Sequence, residues 1–459
     1  MVTGPEVTPG GTPTLRLGAG AGYAGDRVDP AVDLARRGRL DHLVFECLGE
    51  RTIAAAHARR AGSADATAGI DPLWARRVRA VLAPCRAAGT RIVSNAGAAD
   101  PPAAADVTRA VARELGLAGV RVAAVTGDDV LAAVRRADPV VWETGRKLSE
   151  HPETLVAANA YLGAEPIVTA LAEGADVVVT GRVADPALYL GPLVHAFGWS
   201  LTGDPGLLGR GTAVGHLLEC AGQLTGGYFA DPVTKPVPRL AELGFPYADV
   251  APDGSAVLGK LAGTGGLLDV ATATEQLLYE VGDPSAYVTP DVVADFSSVH
   301  LEQDGPDRVR VGGASGSERP GSLKVTLGFR EGWEGEGQIS YAGPRALERA
   351  RLAADVVVSR LDRVHGIGAD DVHVEYVGAG AAFRGLAGPG EPLEVRVRVV
   401  ARTPDPETAE AVGWEVESLY TNGPAGGGGA RRGAREVVAV RSCLLDRRDV
   451  RPEVSVREA

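Results

Sequence analysis

The chain is organised around the stretch Ala175-Asp-Val-Val-Val-Thr180, which runs directly into Gly181-Arg182-Val-Ala-Asp185-Pro186. Its continuous run of valines predicts a strand that is buried on both faces, as the strands of parallel sheets are. In open α/β sheets, ligands bind beyond the carboxyl ends of the strands. We therefore predict that Arg182 and Asp185 lie at the edge of a binding site.

A helix that follows this strand supplies the next candidates. Its sequence is Gly215-His-Leu-Leu-Glu219-Cys220-Ala-Gly-Gln223. We expect Glu219, Cys220 and Gln223 to face the strand end. Cys220 lies four residues after His216, on the same helix face, and this spacing allows a histidine-activated thiolate. A cysteine on an apolar helix is more commonly a small buried side chain, so both interpretations stay open.

The composition is that of a globular protein of 459 residues, long enough for two domains or for one elaborated domain. Hydrophobic residues make up 45% and charged residues 23%, which provides enough apolar material for a core. The net charge of −12 argues against nucleic acid or an anionic membrane surface as the main partner. No apolar run approaches the ~20 residues of a membrane span.

Residues 1–13 lack the basic start and apolar core of a signal peptide, so we expect a disordered leader on a cytoplasmic protein. The four cysteines, at positions 47, 85, 220 and 443, show no metal-type pairing and fit a reducing compartment. The histidines also lack a metal-binding spacing, because no His-x-x-x-His motif occurs. We predict neither a metal nor a separate cofactor.

Strand and helix patterns alternate from residue 14 to about residue 240. The predicted strands of this part are Thr14–Leu17, His42–Cys47, Thr90–Ser94, Val120–Thr126, Thr154–Ala158 and Asp176–Thr180. The alternation predicts an α/β domain over 14–240, an open and mostly parallel sheet with helices on both faces. Over 241–459 the strands alternate apolar and polar residues, which predicts an α+β domain with antiparallel strands.

Gly20, Gly22 and Gly25 follow the first strand with the spacing of a dinucleotide-binding loop, and Glu46 ends the next strand about twenty residues further on. Backbone N–H groups of such a loop bind an anion. However, the helix begins only after the third glycine, and Asp26 would place a negative charge beside a pyrophosphate. A tight strand-to-helix loop is the alternative that we favour.

Polar residues follow other predicted strands as well. Asn95 and Asn159 are predicted at strand ends on the same edge as Arg182 and Asp185. The guanidinium of Arg182 suits a carboxylate or phosphate. The alternative is an Arg182–Asp185 salt bridge that only shapes the turn.

Two further features carry candidate chemistry. Glu46 and Glu50 lie four residues apart beyond the second strand, and two carboxylates near one pocket can divide into an acid and a base or bind a metal. Glu50 is also typical of a helix N-terminus. Gly426 and Gly427 belong to a glycine run with arginines nearby, which is either an anion-binding nest or a mobile surface loop.

Several longer motifs resemble the acyclic terpene utilisation protein family of the AtuA type. These motifs are Asn159–Gly163, Gly174–Leu188, Gly215–Asp231, Gln276–Glu280, Tyr287–Asp291, Glu336–Gly343 and Gly423–Gly429. The chain departs from the family where Ala98 follows Asn95-Ala-Gly97 in place of a second glycine. It also has Ala21-Gly22-Tyr23 where similar proteins have Ser-Gly-Phe, so the dinucleotide spacing is not a family feature.

The resemblance implies a role in the bacterial breakdown of citronellol- and geraniol-type acids, whose intermediates are coenzyme A thioesters. We therefore expect an enzyme of the lyase, hydratase or hydrolase type that acts on an acyl-CoA or a related branched carboxylic acid. Coenzyme A would then be part of the substrate. The alternative is a non-catalytic acyl-thioester-binding partner of a carboxylase or pathway enzyme. In either case we expect a homo-oligomer.

The candidate residues divide by expected role. The catalytic candidates are Glu46, Asp185, Glu219 and Cys220. The substrate-binding candidates are Asn95, Asn159, Arg182 and Gln223. The anion-binding candidates are Gly20, Gly22, Gly426 and Gly427.

Overall fold

The computed structural model describes residues 14–382 and 390–459, and the predicted leader, 1–13, lies outside them. The strands are β1 (Leu15–Ala21), β2 (His42–Phe45), β3 (Arg91–Ser94), β4 (Arg121–Thr126), β5 (Thr154–Ala160), β6 (Val177–Thr180), β7 (Pro246–Val250), β8 (Ala256–Lys260), β9 (Tyr287–Val288), β10 (Val293–Asp295), β11 (His300–Gln303), β12 (Arg308–Gly312), β13 (Ser315–Ser317), β14 (Ser322–Ala342), β15 (Val372–Val377), β16 (Glu394–Thr403), β17 (Gly427–Asp446) and β18 (Glu453–Glu458). The helices are α1 (Asp29–Arg37), α2 (Glu50–Ala61), α3 (Trp74–Ala88), α4 (Pro101–Glu114), α5 (Leu131–Ala137), α6 (Glu165–Ala172), α7 (Ala187–Phe197), α8 (Pro205–Glu219), α9 (Val270–Leu278), α10 (Ala346–His365) and α11 (Pro406–Asn422).

The centre of the main sheet is parallel, as predicted. Its strands have the order β1-β2-β3-β6-β4, and each neighbouring pair among them is parallel. β2 and β6 are buried along their whole length, which explains their continuous apolar sequences. Because the five strands are parallel, their carboxyl ends lie at one edge of the sheet.

Antiparallel strands extend this sheet on both sides. On one side, the hairpin of β7 and β8 pairs with β1 and continues into β12 and β11. On the other side, β18 pairs with β4. All five of these flanking strands come from beyond residue 240, so the main sheet includes segments that the sequence analysis assigns to the α+β half.

Two groups of helices pack against the main sheet. In one group α3 contacts α1 and α4, and in the other α7 contacts α6 and α8. Both groups also contact the central strands, the first through α1 and α4 and the second through α6 and α7. This is the arrangement in which helices cover both faces of a parallel sheet, and it confirms the predicted fold class.

β5 differs from its predicted place. The sequence analysis expects this segment in the parallel series, whereas β5 pairs with β14. Just after β5, the Tyr161 N–H donates to the Lys324 carbonyl oxygen at 2.9 Å. Because β14 is distant in the sequence, no local pattern around β5 could have indicated this pairing.

Contacts divide the chain into two compact units. The first consists of Met1–His151, Val156–Gly328 and Val440–Ala459, and the second of Pro152–Leu155 and Phe329–Ala439. The division thus falls after residues 328 and 439 along the chain, whereas the sequence analysis places a boundary at 240. The first unit also contains a small antiparallel sheet with the order β13-β10-β9.

The second unit is built on antiparallel strands, as predicted for this part of the chain. Its sheet has the order β15-β16-β14-β17. The sequence of β16 alternates buried valines with more exposed arginines, so one face of the strand packs on a core. α10 and α11 contribute Leu361 and Val416 to that core, where they join Ile339 of β14.

Candidate active site at the carboxyl edge of the parallel strands

Polar side chains from several strands meet at the carboxyl edge of the main sheet. Glu46 follows β2, Asn95 follows β3 and Arg182 follows β6, and all three are buried. Asp185 and Glu219 belong to the same cluster, because the charge of Asp185 raises the pKa of both Glu46 and Glu219. The geometry thus brings together five residues that the sequence analysis singled out.

Glu46 occupies a hydrogen-bonded position directly after β2. Its Oε1 accepts from the Leu48 N–H at 2.7 Å and from Asn95 Nδ2 at 2.9 Å. Asn95 Oδ1 accepts from the Cys47 N–H at 2.7 Å. The side-chain amide of Asn95 therefore holds the chain after β2 through both its oxygen and its nitrogen. Burial, and then the charge of Asp185, raise the pKa of Glu46 to about 8. A carboxyl group that titrates near neutral pH is suited to acid–base catalysis.

The guanidinium of Arg182 is engaged by the protein. It donates to the carbonyl oxygens of Leu48 and Val183 and forms an ion pair with Asp185. Its Cζ lies 4.5 Å from the centroid of the Tyr161 ring. The pair with Asp185 is the salt bridge that the sequence analysis considers as the alternative, and the expected role of Arg182 as an anchor for a ligand anion stays a prediction. Its positive charge still lies within the cluster.

Asp185 is the candidate acid that reaches open space. Its side chain is 34% exposed and lines a cavity of about 450 Å³ within the first unit. Much of the remaining wall is apolar or aromatic and includes Trp142, Tyr161, Pro186, Tyr287, Leu323 and Leu444. Burial raises the pKa of Asp185, and the charge of Arg182 acts in the opposite direction.

A second polar group lies on the wall of this cavity. Tyr161 Oη donates to Glu50 Oε1 at 2.8 Å, and Lys324 Nζ donates to the same oxygen at 2.6 Å. Burial would raise the pKa of Glu50, but the hydrogen bonds from Lys324 and Tyr161 hold it below its usual value. Glu50 also begins α2, as the sequence analysis considered. It is therefore an ionised partner of Lys324, unlike Glu46.

Asn159 reaches the cluster through Asp128, a residue that the sequence analysis does not single out. Asn159 Nδ2 and the Arg182 N–H both donate to Asp128 Oδ2, at 2.9 Å and 2.8 Å. A side chain at Gly181 would overlap this carboxylate, so the close approach requires glycine. Burial raises the pKa of Asp128 to about 6. Asn159 itself lies in β5, so its predicted place at an end of the parallel sheet is wrong.

Glu219 forms a pair with His216 on the last turn of α8. His216 Nδ1 and Glu219 Oε1 are 2.9 Å apart, and His216 Nε2 lies 3.2 Å from the Leu277 carbonyl oxygen. Burial raises the pKa of Glu219 to about 7, although the charge of His216 opposes the rise. The His216 ring stacks against Phe296 and contacts Tyr287, with centroids 5.6 and 5.1 Å away.

Cys220 does not form the pair with His216 that the sequence analysis considered. α8 ends at Glu219, and His216 bonds to Glu219 instead. Burial raises the pKa of the Cys220 thiol, and the charge of Glu219 raises it further, so a thiolate is disfavoured. Gln223 lies in the 3₁₀ turn after α8 and hydrogen-bonds to Tyr279.

The first glycine loop is closed by packing. Gly20 lies inside β1, next to an irregularity in its pairing with β2, and is not in a loop. A side chain at Gly22 would overlap the backbone of Cys220, and the Gly22 N–H donates to Asp26 Oδ2 at 2.9 Å. A carboxylate of the protein thus takes the position where an anion would bind, which supports the strand-to-helix loop over the dinucleotide loop.

Gly426 and Gly427 lie in the second unit. Gly427 begins β17, so the glycine run enters a strand and does not form a loop throughout. Nearby arginines are paired with carboxylates, Arg432 with Glu417 and Arg435 with Glu334. These pairs leave less positive charge for an anion than the sequence analysis considered.

Sequence reasoning missed several residues that shape the cluster. Asp128 follows β4 and accepts a hydrogen bond from the backbone N–H of Arg182, which follows β6. Tyr161, Lys324 and Tyr287 line the cavity. Tyr161 and Tyr287 lie in two of the motifs that carry the family resemblance, and this was the available signal. Lys324 gave no signal, because it belongs to an ordinary alternating strand.

The fold and the cluster define an α/β protein with several buried carboxyl groups beside an apolar cavity. The chain belongs to the acyclic terpene utilisation family AtuA, whose family model matches residues 15–456. Membership implies involvement in acyclic terpene utilisation. No curated protein and no solved structure matched the chain. Over residues 14–382 and 390–459, no helix combines the length and the apolar character needed to cross a membrane.

Proposed function

We propose that the protein is an enzyme that acts on an acyl-CoA thioester or a related branched carboxylic acid. Its chemistry would be of the lyase, hydratase or hydrolase type, within acyclic terpene or branched-acid metabolism. The family supports the metabolic setting. Coenzyme A enters as part of the substrate, and the proposal requires no separate cofactor. It includes a homo-oligomeric state, which sedimentation of the purified chain would test.

One observation carries this proposal: the charge of Asp185, which is paired with the buried guanidinium of Arg182 and lines an apolar cavity, acts on both Glu46 and Glu219. Glu46 and Glu219 titrate at about 8 and about 7, so each can exchange a proton near neutral pH. Perturbed carboxyl groups that converge on a cavity are typical of active sites. A protein that only binds its ligand has no comparable need for buried carboxyl groups that titrate near neutral pH.

The cavity supports the substrate class. Its volume of about 450 Å³ lies within the range of small-molecule sites, and its wall is mainly apolar and aromatic. Trp142, Tyr287 and Leu444 would contact a branched hydrocarbon chain. Asp185 would face the polar end of the same ligand, because it is the acid that lines the cavity.

The roles of the polar residues follow from their contacts. Asp185 and Glu219 would exchange protons with the carbons or oxygens next to the acyl carbonyl group. Glu46 would serve as a further acid, held in place by Asn95. Arg182 would stabilise negative charge that develops on the substrate, from a position fixed by its bonds to the protein.

A non-catalytic acyl-thioester-binding protein remains the second candidate. The observation in its favour is that the groups of Arg182 and Asn95 that were expected to bind substrate are used inside the protein. Such a protein would bind the same ligands without converting them. The raised pKa values of Glu46 and Glu219 favour the enzyme.

The test uses the purified full chain and a panel of straight and branched acyl-CoA thioesters, followed by mass spectrometry and calorimetry. We expect turnover of branched thioesters, and a loss of about 100-fold or more in Asp185→Asn. Glu173→Gln, an exposed carboxylate at the end of α6, is the matched control. Binding without turnover would favour the second candidate, and neither binding nor turnover would count against both.

A further inference from the structure

The contact between His216 and Glu219 fixes where protons lie. A carbonyl oxygen can only accept, so His216 Nε2 carries a hydrogen and donates to Leu277. His216 Nδ1 and Glu219 Oε1, 2.9 Å apart, must then have one proton between them, since two lone pairs would otherwise face each other. The pair therefore holds a shared proton, either as imidazole and carboxylic acid or as imidazolium and carboxylate.

The other carboxyl oxygen of Glu219, Oε2, takes no part in the contact with His216. Among the described residues, Glu219 Oε2 is buried and has no hydrogen-bond partner. Buried polar atoms are almost always hydrogen-bonded, so an exception needs an explanation. Glu219 interacts electrostatically with Asp185, which lines the cavity. A ligand group that reaches Glu219 from the cavity, past Asp185 and Tyr287, would supply the missing partner.

We propose that His216 is a positioning residue that holds Glu219 Oε1 and the shared proton, and leaves Oε2 as the atom that exchanges a proton with the ligand. This inference rests on the proposed function, because it assigns a role within the same site. In the carboxylate form, Oε2 takes one proton from the carbon next to the thioester carbonyl. The electron pair of that C–H bond stays on the ligand as an enolate, and the reverse transfer restores the C–H bond.

The surroundings of the pair explain why a histidine is needed. Asp185 follows β6 and Glu280 follows α9, and the negative charge of both acts on Glu219. Tyr189 of α7 and Tyr287 of β9 also interact with it, as does Cys220. In these surroundings an isolated Glu219 would hold its proton too firmly to act as a base. When the shared proton lies on His216, the imidazolium offsets the negative charge of the two carboxylates.

The aromatic neighbours fix the plane of the His216 ring. Phe296 stacks on it at 5.6 Å between centroids, and Tyr287 contacts both rings, at 5.1 Å from His216 and 4.9 Å from Phe296. Because Tyr287 is also part of the cavity wall, the ring that orients Glu219 packs directly against a residue expected to contact the ligand. His216→Phe keeps this stack and removes both ring nitrogens, which makes it an informative variant.

The first measurement needs no substrate. Full-length protein that carries glutamate labelled with ¹³C at its side-chain carboxyl carbon is titrated by infrared spectroscopy. The spectrum of the matching Glu219→Gln protein is subtracted, so that the remaining signal comes from Glu219. In His216→Phe we expect the midpoint to rise by about one pH unit or more, because an opposite charge is lost. His216→Asn keeps a donor near Nδ1 without the charge, and its midpoint should also rise.

Controls make this measurement decisive. His195→Phe removes a histidine from α7 that interacts with Arg91 and His42, and the Glu219 midpoint should not change. Near-ultraviolet circular dichroism establishes that each variant is folded. An unchanged midpoint in folded His216→Phe would overturn the proposal. If that variant does not fold, an unchanged midpoint in His216→Asn would do so.

The second measurement follows deuterium incorporation from heavy water at the carbon next to the thioester carbonyl. Glu219→Gln should slow it about 100-fold or more, and His216→Phe should shift its pH dependence in the same direction as the infrared midpoint. Incorporation by Glu219→Gln at the wild-type rate would overturn the role of Oε2. If wild-type protein neither exchanges nor converts any thioester of the panel, the proposed function fails, whereas the infrared result on His216 stands.

Discussion

β2 carries a buried titratable residue at its amino end and another just beyond its carboxyl end. His42 is 4% exposed and Glu46 is 7% exposed. Burial lowers the pKa of His42 to about 3, with help from the charges of Arg91 and His195, and it raises the pKa of Glu46 to about 8. In both cases the neutral form is favoured, because the interior of the protein solvates charge poorly.

The surroundings of the two residues differ. Within the described part of the chain, neither ring nitrogen of His42 has a hydrogen-bond partner. Glu46 accepts two hydrogen bonds and shares its surroundings with Arg182 and Asp185, which adjoins a cavity. A shifted pKa by itself therefore identifies burial, and convergence of several polar groups at an opening identifies a candidate site. The following predictions test this distinction, from the largest expected effect to the smallest.

Arg182→Met should destabilise the protein most. The substitution leaves Asp185 and the carbonyl oxygens of Leu48 and Val183 without their donor in a buried place. Loss of one partner of a buried ion pair costs about 3–5 kcal/mol, so the free energy of unfolding in chemical denaturation should fall by that amount. Arg86→Met is the control at the amino edge, where Arg86 forms an exposed pair with Asp176.

For Arg86→Met we expect less than about 1 kcal/mol, because exposed ion pairs contribute little. Equal losses in the free energy of unfolding of the two variants would show that the ion pair at the carboxyl edge contributes no more to stability than the ion pair at the amino edge. The contrast drawn here between the two ends of the strands would then be wrong.

His42 should make the protein sensitive to acid. Its pKa lies near 3 when folded and near 6.5 when unfolded, so only the unfolded chain takes up the proton as the pH falls below 6.5. The free energy of unfolding then drops by about 1.4 kcal/mol per pH unit, or about 2 kcal/mol at about pH 5. His42→Leu should remove this part of the acid sensitivity in denaturation curves measured at a series of pH values.

The exposed His300 provides the comparison for His42. His300→Gln should leave the slope of stability against pH as it is in the wild type. A wild-type slope in His42→Leu would mean that His42 does not carry a buried, neutral imidazole.

The sequence predicted the fold better than the details of the site. The buried valines of β6 and the alternation of β16 each indicate how many faces of a strand are covered, and this local property sufficed for the fold class. The partner of β5 and the position of β18 depend on segments far apart in the sequence. No local pattern reports such pairings, so both were missed.

The site shows the same limit. The topology of a parallel sheet predicts that residues following β2, β3 and β6 converge, and Glu46, Asn95 and Arg182 do so. It does not predict which groups they bond to, because Arg182 is engaged by carbonyl oxygens whose position depends on the folded loops. The departure at Ala98 has a local meaning, since its φ of 46° is in the left-handed region that favours glycine.

Glu46→Gln should show the opposite dependence on pH from that of His42→Leu. The pKa of Glu46 is about 8 when folded and about 4.5 when unfolded, so between these values only the unfolded chain releases the proton. The contribution of Glu46 to stability is therefore complete below 4.5 and is lost as the pH rises through 8. Gln has no proton to lose and can still accept from Leu48 and Asn95.

Relative to the wild type, Glu46→Gln should accordingly gain at least about 1 kcal/mol in the free energy of unfolding between about pH 5 and about pH 8. The exposed Glu173→Gln should gain nothing over the same interval. A gain in stability together with a loss of turnover is expected where an active site keeps a group that folding disfavours. If Glu46→Gln showed no gain, Glu46 would be ionised in the folded protein, and its contrast with His42 would rest on charge stabilisation by Arg182.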